Sequence, residues 1–304
     1  MSGKRVTIYN IAEQLGISGS YVSRALNNHP SVGEKIKEQV RKKAAELNYK
    51  HNSQAANLRH GSSKIIGVIV PHINQSFFSE AIAGIEEVCF ENNHNLIICQ
   101  SHESFKQESL AVETLIRQNV DCILISVSAE SESAAHLEEI TNHHIHLVQF
   151  DRCLDVEDGY KVLNDNKDAS YKAVKCLINM GYKRIAFIGG PAQIAVFHDR
   201  KEGFLQAIAE ANVHVPDHFI VDNALSKETA IKISGELLAL TERPDAFFTV
   251  SDHQSLGVLH VANALQIKVP EELGIFGCAN EAFTEIIHPT LSSIDQKSKD
   301  MGRS

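Results

Sequence analysis

The sequence has little of what marks secreted, membrane-bound or metal-binding proteins. Its six cysteines are far apart and none belongs to a CxxC pair, which predicts reduced, buried thiols rather than disulfides or a zinc site. The first residues, MSGKRVTIYN, contain no apolar signal region, and no run reaches the roughly 20 apolar residues that cross a bilayer. We therefore expect a cytoplasmic protein that does not contact a membrane.

The motifs of several common enzyme classes are also absent. The 16 histidines form no HExxH pattern, and the chain has no Gly-x-Ser-x-Gly elbow and no phosphate-binding P-loop. These absences weigh against a zinc protease, an α/β hydrolase and a nucleotide hydrolase, and no cofactor is expected. An enzyme that uses Asp151, Asp252 or a histidine remains an alternative.

Positive charge is scarce overall, but it is concentrated at one end of the 304 residues. Residues 1–64 hold eleven Lys or Arg and four Asp or Glu, a net charge of +7. The remaining residues hold 18 basic and 34 acidic residues, a net charge of −16. A basic segment on an acidic body is expected when only that segment meets phosphate groups.

Within the basic segment, residues 7–24 read TIYNIAEQLGISGSYVSR and predict two short helices joined by a turn. Thr7 stands at the N-cap position of the first helix, Gly16 ends it, and Ser18 can cap the second. The exposed face of the second helix is small, hydroxylated or cationic, and it carries Gly19, Ser20, Tyr21, Ser23 and Arg24. This pattern predicts a helix-turn-helix, whose second helix enters the DNA major groove. A small helical hairpin with a polar solvent face is the alternative.

A third helix is predicted from Ser31 to Leu47, with a cationic face that either contacts the DNA backbone or is simply solvated. The segment from Ser53 to Arg59 would form barely two helical turns, which are not stable alone in water. It is predicted to fold only against a partner, with Leu58 as an apolar wedge in a minor-groove base step. A plain linker is the alternative.

From Ser63 onward, short β-rich runs alternate with helical patterns, which predicts parallel sheets covered on both faces. Strands are predicted in two series, at residues 65–70, 96–99, 122–126 and 145–150, and at 184–188, 219–221, 246–250 and 273–276. Two such series predict two lobes. Ligands of these sheets bind beyond the carboxyl ends of the strands, here in the cleft between the lobes.

Side chains just beyond those strands are candidate ligand contacts: Phe77, Phe78, Asp151, Arg200, Ser251, Asp252 and Asn280. Arg200 is predicted to begin a helix after the Gly189-Gly190-Pro191 turn, where its planar guanidinium suits paired hydroxyls or a carboxylate. Asp199 and Asp252 can instead be helix N-caps, and for Asp252 that interpretation is favoured.

Taken together, these segments resemble the lactose/galactose-repressor family of transcriptional regulators. The resemblance runs from Val6 to the last residue, and it rests on TIYNIAEQLGISGSYVSRALN, ELNYKHNSQAANLR, IGVIVPHINQSFFSEAIAGIE, FDR, NMGYKRIAFIGG, SDHQSLG, VPEELGIFG and HPTLSSIDQ. It implies a helix-turn-helix three-helix head (residues 1–50), a hinge helix (51–62) and an α/β two-lobed sensor with two parallel sheets (63–304), like periplasmic sugar-binding proteins.

The function implied by the resemblance is that of a repressor controlled by a small molecule. It would act as a homodimer, or as a tetramer, on pseudo-palindromic double-stranded operator DNA. The implied effector is a sugar or a sugar derivative bound between the sensor lobes. A free sugar-binding receptor of a transport system is an alternative, but it would lack a secretion signal and have no use for the basic head.

The resemblance also implies roles for individual residues. Phosphate contacts are implied for Thr7, Ser18, Ser23 and Asn27, base-edge contacts for Gly19, Ser20 and Arg24, and further DNA contacts for Tyr49, Asn52, Ala55, Leu58 and Arg59. Because Gly19 has no side chain, specificity falls to Ser20, Tyr21 and Arg24, and Arg24 can reach a guanine. Effector contacts are implied for Phe77, Phe78, Asp151, Arg200, Ser251 and Gln296.

The sequence departs from the family at three places. Ala279 stands where the family has an acidic residue, which leaves that role to Asn280. Leu225 stands where several members have an aromatic residue, and both changes weaken the case for a standard pyranose. The chain ends at Ser304, inside an expected helix of the first lobe. The resemblance therefore implies further residues, including the closing strand of the second lobe, and a truncated sensor.

Overall fold

The computed structural model of this protein describes residues 6–49 and 62–304. The chain divides into two compact units, with the boundary between Ser62 and Ser63. The predicted hinge contacts Asn52, Ala55, Leu58 and Arg59 lie outside the described residues. Over the two described ranges, no helix has the length and apolar character needed to cross a membrane.

The amino-terminal unit contains three helices, α1 (Ile8–Leu15), α2 (Gly19–Leu26) and α3 (Glu34–Glu46). They enclose a small core formed by Ile11, Ala12, Val22, Ala25, Val32, Val40 and Ala44. Gly16 ends α1 in the left-handed conformation, with φ 65°, which glycine adopts without a Cβ penalty. Ser18 caps α2, because its Oγ accepts the Tyr21 N–H at 3.3 Å. The predicted helix-turn-helix is therefore confirmed.

The first lobe of the second unit is a five-stranded parallel sheet in the order β2-β1-β3-β4-β5. Its strands are β1 (Ile65–Val70), β2 (Asn95–Gln100), β3 (Cys122–Ile125), β4 (His146–Phe150) and β5 (Tyr160–Val162). Its helices are α4 (Ser76–Glu91), α5 (Phe105–Arg117) and α6 (Ala135–Asn142). Neighbouring residues of β1 enter different cores, Val68 on one face and Ile69 on the other, so the sheet is covered on both sides.

The second lobe is also a parallel sheet, in the order β10-β9-β8-β6-β7. Its strands are β6 (Ile185–Ile188), β7 (Ile220–Val221), β8 (Ala246–Thr249), β9 (Gly274–Cys278) and β10 (Ser292–Ile294). Its helices are α7 (Asn166–Asn179), α8 (Ala195–Glu210), α9 (Lys227–Leu238), α10 (Asp252–Ala264) and α11 (Phe283–Ile286). One core contains Phe187, Phe204 and Phe248, whose rings pack with centroids 5.2 to 6.4 Å apart.

The chain returns to the first lobe after β10. Helix α12 (Ser298–Arg303) packs against α4 so closely that a Cβ at Gly302 would lie 2.0 Å from the Ala81 carbonyl oxygen. Lys299 and Arg303 each form an ion pair with Glu87 of α4 at 2.5 Å. The first lobe is therefore built from two separate stretches of the chain.

Several predicted boundaries are wrong. Helix α8 begins at Ala195, so Arg200 lies in its second turn rather than at its start, and Asp199 is not a cap. The N-cap of α10 is Ser251, whose Oγ accepts the Gln254 N–H at 3.4 Å, and Asp252 is the first helical residue. Strands β5 and β10, both at sheet edges and three residues long, were not predicted.

All six cysteines are free thiols, as predicted. Burial raises the pKa of Cys153 to about 12 and the pKa values of Cys122 and Cys278 to about 11. A thiol is nucleophilic only after deprotonation, so these three cysteines are unreactive at neutral pH.

Candidate nucleic-acid interface and ligand cleft

Helix α2 presents the polar face that the sequence predicted. Ser20 and Arg24 are exposed, while Gly19, Tyr21 and Ser23 are half-buried beside them. The Arg24 guanidinium lies over the Tyr21 ring, 5.5 Å from its centroid. This cation–π contact orients the arginine while leaving its donors accessible, which suits an arginine that pairs with a base edge.

Tyr9 of α1 borders this face and was missed in the sequence analysis. Its side chain is 72% exposed, and a Cβ at Gly19 would lie 3.0 Å from its ring. The Tyr9 ring therefore covers the space next to the residue that has no side chain. The sequence did contain an indication of this. Tyr9 does not share the apolar spacing of Ile8, Ile11 and Leu15, so its ring is expected on the outer face of α1.

The other predicted contacts in this unit lie at helix ends. The Thr7 hydroxyl donates to the Asn10 side chain at 2.9 Å, and the Asn27 amide donates to the Ser23 carbonyl at 2.9 Å. Thr7, Ser18 and Asn27 are exposed. Tyr49 is half-buried, packs against the core of the unit, and donates its backbone N–H to the Ala44 carbonyl at 2.8 Å.

The cationic residues of α3 divide into paired and accessible groups. Lys37 pairs with Glu34 at 2.6 Å, and Lys43 pairs with Glu46 at 2.5 Å. Lys35 and Lys42 are exposed, and Arg41 is exposed while donating to Asn28. Exposed cations on α3 add to the positive surface of the amino-terminal unit and suit contacts with backbone phosphates.

The second unit contains a cavity of about 470 Å³ between its two lobes, beyond the carboxyl ends of the strands. Six of the seven predicted effector residues line it: Phe77, Phe78, Asp151, Arg200, Ser251 and Gln296. Asn280 does not line it. That side chain is exposed, and the Asn280 backbone N–H donates to Ser293 Oγ at 2.9 Å, so the structure does not bring Asn280 together with the other six residues.

The walls of the cavity are partly apolar. Phe77 and Phe78 of α4 pack edge to face with centroids 5.0 Å apart. Phe197 of α8 lines the other lobe together with Leu225, the residue that replaces an aromatic of the family. Phe197 was missed because α8 begins at Ala195, whereas the predicted helix begins at Arg200. Such faces suit the apolar side of a small polar ring.

Arg200 and Asp151 supply fixed polar groups from the two lobes. Arg200, only 4% exposed, donates from Nε to Asn166 Oδ1 at 3.0 Å and from Nη1 to the Val250 carbonyl at 2.7 Å. Its Nη2 makes no hydrogen bond to another described residue. These two bonds hold the guanidinium rigid, so the remaining donors are prearranged for a ligand.

Asp151 is 6% exposed and has a left-handed backbone, with φ 58°. Burial raises the pKa of its carboxyl, an effect that the nearby guanidiniums of Arg200 and Arg152 oppose. Gln296 is also buried in the cleft, where its side-chain amide approaches the Asp151 carboxyl and also opposes the rise of the Asp151 pKa.

Glu103 and Arg152 form an ion pair that the sequence analysis did not identify. Arg152 Nη1 donates to both carboxylate oxygens of Glu103, at 2.8 and 2.9 Å. The guanidinium lies over Phe78 of its own lobe at 5.7 Å and over Phe197 of the other lobe at 5.3 Å. The charge of Arg152 is therefore already paired, and the residue mainly packs between the lobes.

Asp252, which lines the same cavity, is fully buried. Its carboxylate accepts the Glu281 N–H at 2.8 Å and the Ser293 hydroxyl at 2.7 Å. Burial raises its pKa, and these hydrogen bonds oppose the shift. Asp252 is thus committed to structure within the second lobe. Over residues 6–49 and 62–304, no group of three or more His, Cys, Asp or Glu could hold a metal ion.

Two family models match this chain. Residues 7–52 match the bacterial regulatory proteins of the lacI family, and residues 174–304 match the periplasmic binding protein-like domain. The ribose operon repressor of Haemophilus influenzae is 30% identical over 297 residues, which are 98% of this chain and 89% of the relative. Catabolite control protein A of Priestia megaterium is 29% identical over 298 residues, with the same two shares.

Solved structures show the same architecture. The lac repressor dimer bound to operator and the anti-inducer ONPF has a TM-score of 0.81 at 20% identity, over 99% of this chain and 90% of that chain. The transcription regulator CcpA of Lactococcus lactis has a TM-score of 0.72 at 25% identity, over 79% of this chain and 87% of that chain. These similarities confirm the predicted fold class. Because the 30% identity to the ribose operon repressor covers 98% of the chain, the chain belongs to the lacI family of bacterial regulatory proteins.

Proposed function

We propose that this protein is a transcriptional repressor that binds operator DNA sequence-specifically in the cytoplasm and is controlled by a small molecule in its cleft. One observation carries the proposal: a helix-turn-helix with an exposed arginine and a two-lobed cleft with fixed polar groups occur in the same chain. A homodimer is proposed, because two copies would place two reading helices on a pseudo-palindromic site. A tetramer is the alternative assembly.

On the DNA side, α2 would lie in the major groove, with Ser20, Tyr21 and Arg24 toward the base edges. The residues proposed for the DNA backbone and the minor groove are Thr7, Ser18, Ser23, Asn27, Tyr49, Asn52, Ala55, Leu58 and Arg59. A guanidinium pairs with guanine O6 and N7 at once, so Arg24 is proposed as the main determinant of sequence preference.

On the effector side, the proposed ligand is a sugar or a sugar derivative. Asp151 accepts from hydroxyl groups, Arg200 and Gln296 donate to ligand oxygens, and the phenylalanine rings cover an apolar face. Control of DNA affinity then requires that the ligand binds one arrangement of the two lobes better than the other. The relative named for the ribose operon supports a sugar as the first class to test.

Selection of binding sites from a random duplex library, using the full chain, tests the DNA side. We expect enrichment of a pseudo-palindrome. Arg24→Ala should lose discrimination at one base pair in each half-site by about 1–3 kcal/mol. Lys42→Ala, which removes an exposed charge of α3, should instead weaken binding to all sequences alike and reduce its salt dependence. A library that shows no enrichment would contradict the proposal.

A thermal-shift screen of sugars, uronates and nucleobases, followed by calorimetry, tests the effector side. We expect Arg200→Ala to lower effector affinity at least about tenfold, because it removes charge-assisted hydrogen bonds. Its operator affinity should remain, without a response to effector. Lys201→Ala is the matched control, since the neighbouring Lys201 pairs with Asp222 at 2.6 Å and does not line the cavity. Unchanged effector affinity in folded Arg200→Ala would remove Arg200 from the site.

A further inference from the structure

Glu281 lies in the loop after β9, two residues beyond Ala279. Its backbone is fixed in the second lobe, because its N–H donates to the buried Asp252 carboxylate at 2.8 Å. The residues that follow it, Phe283 and Leu291, pack into the core of the same lobe. Any contact that the Glu281 side chain makes with the first lobe therefore joins the two lobes.

The Glu281 side chain makes such a contact. Its two carboxylate oxygens accept the backbone N–H of Ser76, at 3.1 and 3.3 Å, and Ser76 is the first residue of α4 in the first lobe. Glu281 is only 6% exposed. The first N–H groups of a helix have no partner within the helix, and its amino-terminal end favours negative charge. The N-cap residue Gln75 provides no side-chain cap, so the second lobe supplies one.

Two other contacts across the cleft are weaker than this bond. Gln193 Nε2 of the second lobe lies 3.5 Å from the Ala129 carbonyl of the first, a long bond between neutral groups. Arg152 contacts Phe197 across the lobes only through its guanidinium and the ring, at 5.3 Å. A hydrogen bond to a charged group contributes more than a neutral one, particularly when buried. The bond between Glu281 and Ser76 is therefore the strongest of these three polar contacts.

We propose that Glu281 is a positioning residue that holds the two lobes together. The carboxylate caps α4 from the opposite lobe, so separating the lobes breaks its bond to the Ser76 N–H. This inference rests on the proposed function in one respect. An effector would act by favouring one arrangement of the two lobes, and the bond between Glu281 and Ser76 stabilises one such arrangement. It also means that the positive end of α4 in the cleft is already neutralised by the protein.

Hydrogen exchange of the full-length, ligand-free protein tests whether the Glu281 carboxylate holds the first turn of α4. In Glu281→Ala, amides in the first turn of α4 should exchange about tenfold faster, the factor expected for one lost charge-assisted bond. The second-lobe amides of β9 and α10 should keep their protection. Glu285→Ala is the matched control, because Glu285 is exposed on α11 and should change neither region. Unchanged exchange in α4, or faster exchange throughout the second lobe, would overturn the proposal.

A second variant removes the donor instead of the acceptor. Ser76→Pro eliminates the N–H at the first helical position, where proline is well tolerated, and the extended backbone of Gln75 (φ −93°, ψ 132°) suits a residue before proline. Ser76→Ala controls for the lost hydroxyl. If the groups are bonded, Glu281→Ala combined with Ser76→Pro should shift the urea unfolding midpoint less than the sum of the two single shifts. Additive shifts would show that Glu281 and the Ser76 N–H do not interact, and would overturn the proposal. The operator selection is independent of this result, so failure of either proposal is distinguishable from failure of the other.

Discussion

Asp151 shows how a carboxyl in the cleft is held at a cost to stability. Its carboxyl is buried in the cleft, and burial raises its pKa. A carboxyl whose pKa is raised on folding binds its proton more tightly in the folded than in the unfolded chain. The contribution of Asp151 to folding stability therefore becomes unfavourable as the pH rises from the pKa of the unfolded chain, about 3.9, to the raised pKa of the folded chain. It stays unfavourable at higher pH.

Asp151→Asn should therefore increase the free energy of unfolding at neutral pH, because an amide is not ionised when it is buried. The gain should shrink as the pH falls toward about 4 and vanish below it, where the wild-type carboxyl is protonated in both states. Urea unfolding at several pH values measures the difference between the two proteins. Asp155→Asn should instead decrease the free energy of unfolding at neutral pH, since a hydrogen bond from Lys161 lowers the pKa of the exposed Asp155. Destabilisation by Asp151→Asn at neutral pH would contradict this account.

The contrast between Asn280 and Glu281 shows where residue-level prediction fails. Positions at the carboxyl ends of strands, such as Asp151 and Ser251, were predictable because a parallel sheet places those ends at one edge. Beyond β9 the chain leaves the strand, and Asn280 has a left-handed backbone with φ 54°. That turn places the side chain of the next residue, rather than Asn280, in the cleft. No periodic pattern encodes such a turn.

Close packing of helices is set by glycines on their contact faces. A Cβ at Gly203 of α8 would lie 2.2 Å from the Lys167 carbonyl oxygen of α7. That neighbour is backbone and cannot move aside without shifting a helix. Gly235 of α9 has nothing within 4 Å of the equivalent position. The same substitution should therefore have opposite effects on these two helices.

Gly203→Ala should lower the free energy of unfolding by about 1–3 kcal/mol through overpacking. Gly235→Ala should raise it by up to about 1 kcal/mol, because alanine is the better helix former and has room. Chemical denaturation of the two variants beside the wild type measures both changes. Similar changes in both variants would show that helix propensity, rather than contact with α7, decides the outcome at Gly203.

At the level of elements, the central strands were the easiest to predict. Strands β1, β6 and β8 are covered on both faces, so they read as continuous apolar runs. The edge strands β5 and β10 are short and include exposed residues, so they carry no such run. The start of α8 was missed because Ile194, its N-cap residue, has no side chain that can cap a helix.

The distribution of charge over the whole molecule predicts that DNA binding depends on its first unit. A protein lacking residues 1–61 should fold, since the chain forms a separate compact unit from Ser63 onward. It should have no affinity for duplex DNA at physiological salt, because residues 65–304 carry a net charge of −16. A mobility-shift assay, with circular dichroism to verify folding, measures both properties. Binding of duplex DNA by this shortened protein would refute the assignment.

The return of the chain to the first lobe through α12 has a consequence for the order of folding on the ribosome. Every strand of the first sheet emerges before the second lobe is made, yet the helix that covers Ala81 and Gly84 of α4 emerges only after β10. A nascent chain that stops short of Ser298 therefore exposes this face of α4. Early intermediates with uncovered packing surfaces are prone to aggregate. A helix made late in synthesis thus protects a helix made early.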